Sequence, residues 1–202
     1  MRRMGLEELA QYTYQGLKAR GIEVTLSGGA CVSLYTENAC QSSDLDFIRG
    51  LAVPIGEVAK ALEELGFTRE DRRFLHPRSD FHVEFPPPPL TVGEEPPGEA
   101  REYPVVSPGG RRPVRMISPT DCVKDRLCGF FYWNDRQSLD QAVLVALARK
   151  VDLAEIAAWA GRERMRDRHA EFEAALAEKR GAPRKAKNPK GRPPPGRRNG
   201  TG

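Results

Sequence analysis

The stretch Val24-Thr-Leu-Ser-Gly-Gly-Ala-Cys-Val-Ser-Leu-Tyr-Thr-Glu-Asn-Ala-Cys-Gln-Ser-Ser-Asp-Leu-Asp-Phe-Ile48 decides how the chain is read. Ile22–Leu26 is a short β-branched run that predicts a strand, and Ser27-Gly28-Gly29 breaks it. Ala30–Tyr35 reads as a helix, and Thr36–Ser43 as a polar connection. Asp44–Ile48 alternates polar and apolar residues and predicts a second strand. Residues two apart in a strand share a face, so Asp44 and Asp46 project together while Leu45 and Phe47 project the other way. Two neighbouring carboxylates repel and call for a cation between them. Magnesium, or manganese in its place, suits such a pair, because it takes oxygen ligands from one or two carboxylates plus substrate phosphates. The glycines before the helix let backbone amides approach a phosphate, and a helix N-terminus favours an anion.

Outward from this stretch, Leu6–Arg20 predicts an amphipathic helix closed by Gly21, and Val53–Leu65 another closed by Gly66. Arg73–Leu75 and Phe81–Phe85 predict strands, the second stopped by Pro86–Pro89. Residues 90–112 are rich in Gly, Pro and Glu and predict a loop with an edge strand at Tyr103–Val106. Val114–Ile117 predicts the last strand. Ser118 and Pro119 then open a helix as N-cap and first helical residue, running to Trp133. Further helices are expected at Ser138–Lys150 and from Asp152 toward Lys179. The expected fold class is α+β: a small mixed β-sheet with helices at 1–117, a helical region packed on it at 118–179, and a disordered basic tail at 180–202.

The chain has 202 residues and net charge +4, of which nine Lys or Arg and no acid fall after residue 178. The remainder therefore carries −5, so charge does not mark the folded part as a DNA-binding domain. The basic tail favours RNA among acceptors. No apolar run is long enough to span a membrane, and no leader is visible after Met1-Arg2-Arg3, so the cytoplasm is the expected compartment. Four cysteines without a Cys-x-x-Cys pair suggest reduced, mostly buried thiols.

Leu26-Ser27-Gly28-Gly29, fourteen residues and Asp44-Leu45-Asp46-Phe47 together resemble the signature of the nucleotidyltransferase superfamily, the polymerase-beta-like fold. That resemblance implies an NTP substrate, metal held by Asp44 and Asp46, and phosphates held by Ser27, Gly28 and Gly29. It also implies a third carboxylate from a later strand. Glu84 in Phe81–Phe85 offers it, with His82 on the same face and Asp80 as the alternative. The segment Ser118–Leu127 followed by Trp133–Asp140 is similar to the helical part of abortive-infection-type, toxin-like nucleotidyltransferases. Lys124, Asp135 and Asp140 match positions there, whereas Asn134 stands where that pattern has arginine. Lys124 is then expected on the triphosphate, with Arg126 directed elsewhere, toward Asp125 or Asp121. Phe130–Trp133 reads as core packing, with base stacking as the alternative. The implied function is metal-dependent transfer of an NMP from an NTP to a hydroxyl of RNA, protein or a small molecule, with a cognate antitoxin as a partner. The alternatives are an inactive nucleotide- or RNA-binding module of the same fold, and an antibiotic-type small-molecule transferase.

Overall fold

The computed structural model describes residues 3–181. The elements are α1 (Leu6–Lys18), β1 (Val24–Ser27), α2 (Gly28–Tyr35), β2 (Asp44–Arg49), α3 (Ile55–Glu64), β3 (Thr68–Glu70), β4 (Arg73–Leu75), β5 (His82–Glu84), β6 (Arg101–Ser107) and β7 (Gly110–Met116). The helices α4 (Pro119–Trp133), α5 (Arg136–Ala148), α6 (Leu153–Arg162) and α7 (Arg166–Gly181) follow. The strands form one mixed sheet in the order β3-β4-β5-β2-β1-β7-β6. β1 runs antiparallel to β2 and parallel to β7, and β2 runs parallel to β5.

Alternation fixes which side of each central strand is core. Leu26, Leu45, Phe47, Phe74 and Val83 are buried in one apolar cluster with α1, α2, α3 and the C-terminal helices. α1 contributes Leu6, Leu9, Tyr14 and Leu17, with Glu7 and Glu8 in its first turn and Lys18 in its last, the charge order the helix dipole favours. In α4, Ser118 accepts from the Asp121 amide at 3.0 Å, with proline in the first turn. Asp152 caps α6 through the Glu155 amide at 3.0 Å.

Three elements differ from the sequence expectation. The edge strand expected at Tyr103–Val106 is present but longer, as β6, and the β6–β7 hairpin takes in residues 101–112 of the expected loop. Its prolines face one another, Pro104 with Pro113, on an edge strand and on the part of β7 beyond its pairing with β1 at Met116. β3 is a three-residue strand of exposed Thr68, Arg69 and Glu70, with no apolar residue to announce it. The single helix expected from Asp152 is two. Arg164, at φ 61°, ends α6 with bonds from Arg164 N to Gly161 O and from Met165 N to Ala160 O, a helix-ending turn without its usual glycine. Arg180 and Gly181, expected in the tail, close α7. The remainder of the expected tail, 182–202, lies outside the described residues.

Among the described residues no helix is long and apolar enough to cross a membrane. The four cysteines are free, Cys31 and Cys122 buried and the other two partly so.

Candidate active site

β1 delivers Ser27 to the sheet end where α2 begins, and register places it opposite Asp46 of β2. Ser27 Oγ donates to the Asp46 carbonyl at 3.3 Å and makes no cap bond to α2. Gly28 adopts φ +68°, and a Cβ there would lie 2.6 Å from Asp46 Oδ2. Glycine is therefore required twice over, for the left-handed backbone and for the space that the Asp46 carboxylate occupies. A Cβ on Gly29 would lie 2.9 Å from Ser42 Oγ, and that hydroxyl donates to Asp44 Oδ1 at 2.8 Å. The two glycines thus make room for the Asp46 carboxylate and for the Ser42 hydroxyl that holds Asp44. Ser42, two residues before Asp44, carries no pattern of its own and escaped the sequence reading.

The parallel pairing of β2 with β5 sets Asp44 beside His82 and Asp46 beside Glu84. All four side chains therefore share one face of the sheet, and His82 Nε2 lies 3.3 Å from Glu84 Oε1. The Asp46 carboxyl is pushed up to about 6, first by burial and then by the negative charges of Asp44 and Glu84. Arg126 pulls it back, and Asp125 adds to the repulsion. The donor set is all hard carboxylate oxygen in a crowded negative pocket, which fits magnesium and not a thiolate-seeking ion. Among the described residues no group of three or more His, Cys, Asp or Glu side chains is gathered as a complete metal site.

Asp80 is not brought to this face. β5 begins only at His82, and the preceding turn is tied to the N-terminal segment by Ser79 Oγ to Met4 O at 3.1 Å. The Asp80 side chain is 71% exposed and pairs with Arg3 at 2.6 Å.

α4 carries a second departure. Lys124 is 8% exposed and donates to Glu155 Oε1 of α6 at 2.8 Å, with Asp121 Oδ1 at 3.9 Å. Arg162 joins Glu155 at 3.0 Å and also pairs with Glu95. Lys124 therefore belongs to an ion cluster between α4, α6 and the 92–95 loop, its ammonium already engaged by Glu155. Arg126 pairs with Asp125, one of its two expected partners, and its positive charge also acts on Asp46. Its Nε and Nη2 donate to Asp125 Oδ2, and Nη1 approaches Gln141 Oε1 at 3.5 Å. A cleft of about 460 Å³ opens beside this pair, lined by Asp125, Arg126, Tyr132 and Trp133 of α4 and by Gly93 and Glu94 of the loop facing them.

Phe130 and Phe131 are core as expected, Phe131 stacked on Trp159 at 5.4 Å. Tyr132 and Trp133 are not: they stand at the cleft. Asp135 caps α5, accepting from Gln137 N at 2.9 Å and Ser138 Oγ at 2.7 Å, and the Ser138 bond first among these holds its carboxyl below the usual range. Asp140 is exposed on α5. Asn134 ends α4 at φ 54°, a left-handed position that asparagine tolerates and arginine disfavours.

An antigenic nucleotidyltransferase-like protein from Paracoccidioides brasiliensis superposes with a TM-score of 0.50, covering 85% of this chain and 92% of its own, at 12% identity. The fold is the nucleotidyltransferase fold. The antibiotic-resistance factor ANT(2'')-Ia also matches. Its solution structure gives a TM-score of 0.48 at 19% identity, with 86% of this chain and 94% of that one covered. Its crystal structure with adenylyl-2''-tobramycin gives 0.49 at 19% identity, with 84% and 97% covered. No family model matches the chain, and no curated protein matches it.

Proposed function

We propose that the protein is a nucleotidyltransferase that moves an NMP from an NTP to an acceptor hydroxyl. The observation that carries this reading is the register that sets Asp44, Asp46 and Glu84 on one face, directly after the Ser27–Gly29 turn. The α2 N-terminus and the Ser27–Gly29 turn receive the triphosphate. Asp44 and Asp46 would hold magnesium, which when bound supplies charge neutralisation on the triphosphate. Ser42 fixes the Asp44 carboxylate through its 2.8 Å hydrogen bond. Glu84 takes the acceptor proton, or orients the hydroxyl, with His82 steadying its carboxylate. The acceptor oxygen forms a bond to the α-phosphorus, the bond from that phosphorus to the β-phosphate oxygen breaks, and pyrophosphate leaves. Arg126, whose positive charge acts on Asp46, takes the phosphate role that the family resemblance implies for Lys124.

Calorimetry with magnesium and α,β-methylene NTPs tests the reading. Asp44→Asn, Asp46→Asn and Arg126→Ala are each expected to weaken binding about 10- to 100-fold, the range of a lost charged contact of about 1.5–3 kcal/mol. Unchanged binding in both aspartate variants would overturn it.

A further inference from the structure

The connection between α2 and β2, residues 36–43, joins the Ser27–Gly29 turn and its helix to the strand that carries Asp44 and Asp46. Glu37 and Asn38 within it take φ of 53° and 61°, two left-handed residues in succession. Both ends of the connection are tied to one residue of α2. The Ser33 carbonyl accepts from Asn38 N at 2.8 Å, and the Ser33 hydroxyl accepts from Ser42 N at 2.9 Å. The same hydroxyl donates to the Gly29 carbonyl at 3.3 Å.

Ser33 is 0% exposed, so its hydroxyl depends on these partners alone. Helix formation does not ask for serine here. Alanine is the better helix former, and a hydroxyl bonded to the carbonyl four residues before weakens a helix slightly. From Ser42 the run continues through its own hydroxyl to Asp44 Oδ1 at 2.8 Å, while Asp44 Oδ2 has no hydrogen-bond donor among the described residues. An unbroken series of hydrogen bonds thus leads from Gly29, through Ser33 and Ser42, to one oxygen of the Asp44 carboxylate.

We propose that Ser33, acting through Ser42, is a positioning residue that sets Asp44 at a fixed offset from the α2 N-terminus. This rests on the nucleotidyltransferase reading, in which Ser42 holds Asp44, and adds the residue that holds Ser42. Metal and triphosphate bind as one unit, so the carboxylate and the phosphate turn must keep their separation. A misplacement of about 1 Å is enough to cost on the order of 100-fold in rate. Ser33 belongs to the helix that begins at the turn, so it couples the two halves of the site directly.

The test separates the metal-dependent part of binding from the phosphate part. The full chain is titrated calorimetrically with the best-binding α,β-methylene NTP, once with magnesium and once in EDTA, and the ratio of the two affinities is read. Ser42→Ala should lower that ratio about 10- to 100-fold, the usual loss when the partner of a metal-ligating group is removed, with the EDTA affinity unchanged. Ser42→Thr keeps the hydroxyl and should bind as wild type. Ser33→Ala should lower the ratio about 2- to 10-fold, the worth of one neutral hydrogen bond, again without moving the EDTA affinity. Where Ser33→Ala fails to fold, Ser33→Cys, which keeps the shape but accepts poorly, gives the same reading. In an Asp44→Asn background neither serine substitution should lower the ratio further, because both act through that carboxylate. Equal losses with and without magnesium, a ratio unchanged by the serine substitutions, or losses undiminished in the Asp44→Asn background would overturn the positioning role while leaving the carboxylate site standing. An unchanged ratio in Asp44→Asn itself, or no binding by wild type under either condition, would overturn the nucleotide reading, and the positioning role with it.

Discussion

Asp46→Asn is expected to make the metal-free protein more stable while disabling its site. The Asp46 carboxyl sits at about 6 against an ordinary 3.8, raised by burial and by Asp44 and Glu84. Each pKa unit corresponds to about 1.36 kcal/mol, so the ionised carboxylate costs the folded state on the order of 3 kcal/mol. The sign follows from proton binding. Between roughly pH 4 and 6 the native state holds more protons than the unfolded chain, so stability falls as pH rises through that window. The penalty is small near pH 4 and complete above about pH 7. Asparagine carries no charge and escapes it. In a chain of 202 residues a gain of 2–3 kcal/mol raises Tm by roughly 5–10 °C. Thermal and urea unfolding of both proteins in EDTA, at pH 4 and pH 7.5, reads the difference. The expected result is a gap near zero at pH 4 that opens at pH 7.5, and that reverses when magnesium and a non-hydrolysable NTP are added. A variant less stable than wild type at pH 7.5, or a gap independent of pH, would refute the crowding of the three carboxylates. A site that opposes its own fold until a ligand arrives is the usual trade between stability and activity.

The other outcomes follow from the same geometry. Lys124→Ala should lower stability by about 1–3 kcal/mol in urea unfolding, because it removes the bond to Glu155 and the positive charge beside buried Asp121, yet leave NTP affinity within about twofold; a large affinity loss in a fully stable variant would return Lys124 to the phosphate site. Gly28→Ala and Gly21→Ala both force an L-residue into φ near +70° and should each cost about 1–2 kcal/mol, but only at Gly28 does the new Cβ meet Asp46, so only that variant should lose magnesium·NTP binding by calorimetry.

What was legible in the sequence was what local period encodes. The turn Ser27–Gly29 and the alternation of Asp44–Ile48 put two carboxylates on one face, and alternation in Phe81–Phe85 offered Glu84. Alternation could not say where β5 starts, because the turn held on Met4 cuts the strand off at His82 and strands Asp80 outside it. The roles of Lys124 and Arg126 were harder still. Both lie beside the apolar stripe of α4, and which one meets the sheet depends on where α6 packs. Glu155, three residues after the cap Asp152, is the partner that turns Lys124 toward α6. The edge strand expected at Tyr103–Val106 and the strand expected at Val114–Ile117 are the middle of β6 and the end of β7, but composition did not show that they pair as one hairpin through Pro104 and Pro113.

The central claim is transfer of a nucleotidyl group by the Asp44–Asp46–Glu84 face. It is tested most directly by incubating the purified protein with magnesium and each NTP, labelled on the α-phosphate in one series and on the γ-phosphate in the other. Total RNA, cell protein and small-molecule extract serve as separate acceptors. Label from the α-phosphate should enter one acceptor fraction, with pyrophosphate released in equal amount, and none should enter from the γ-phosphate or in the Asp44→Asn and Asp46→Asn proteins. Transfer of the γ-label, or α-label transfer that survives both substitutions, would contradict the account.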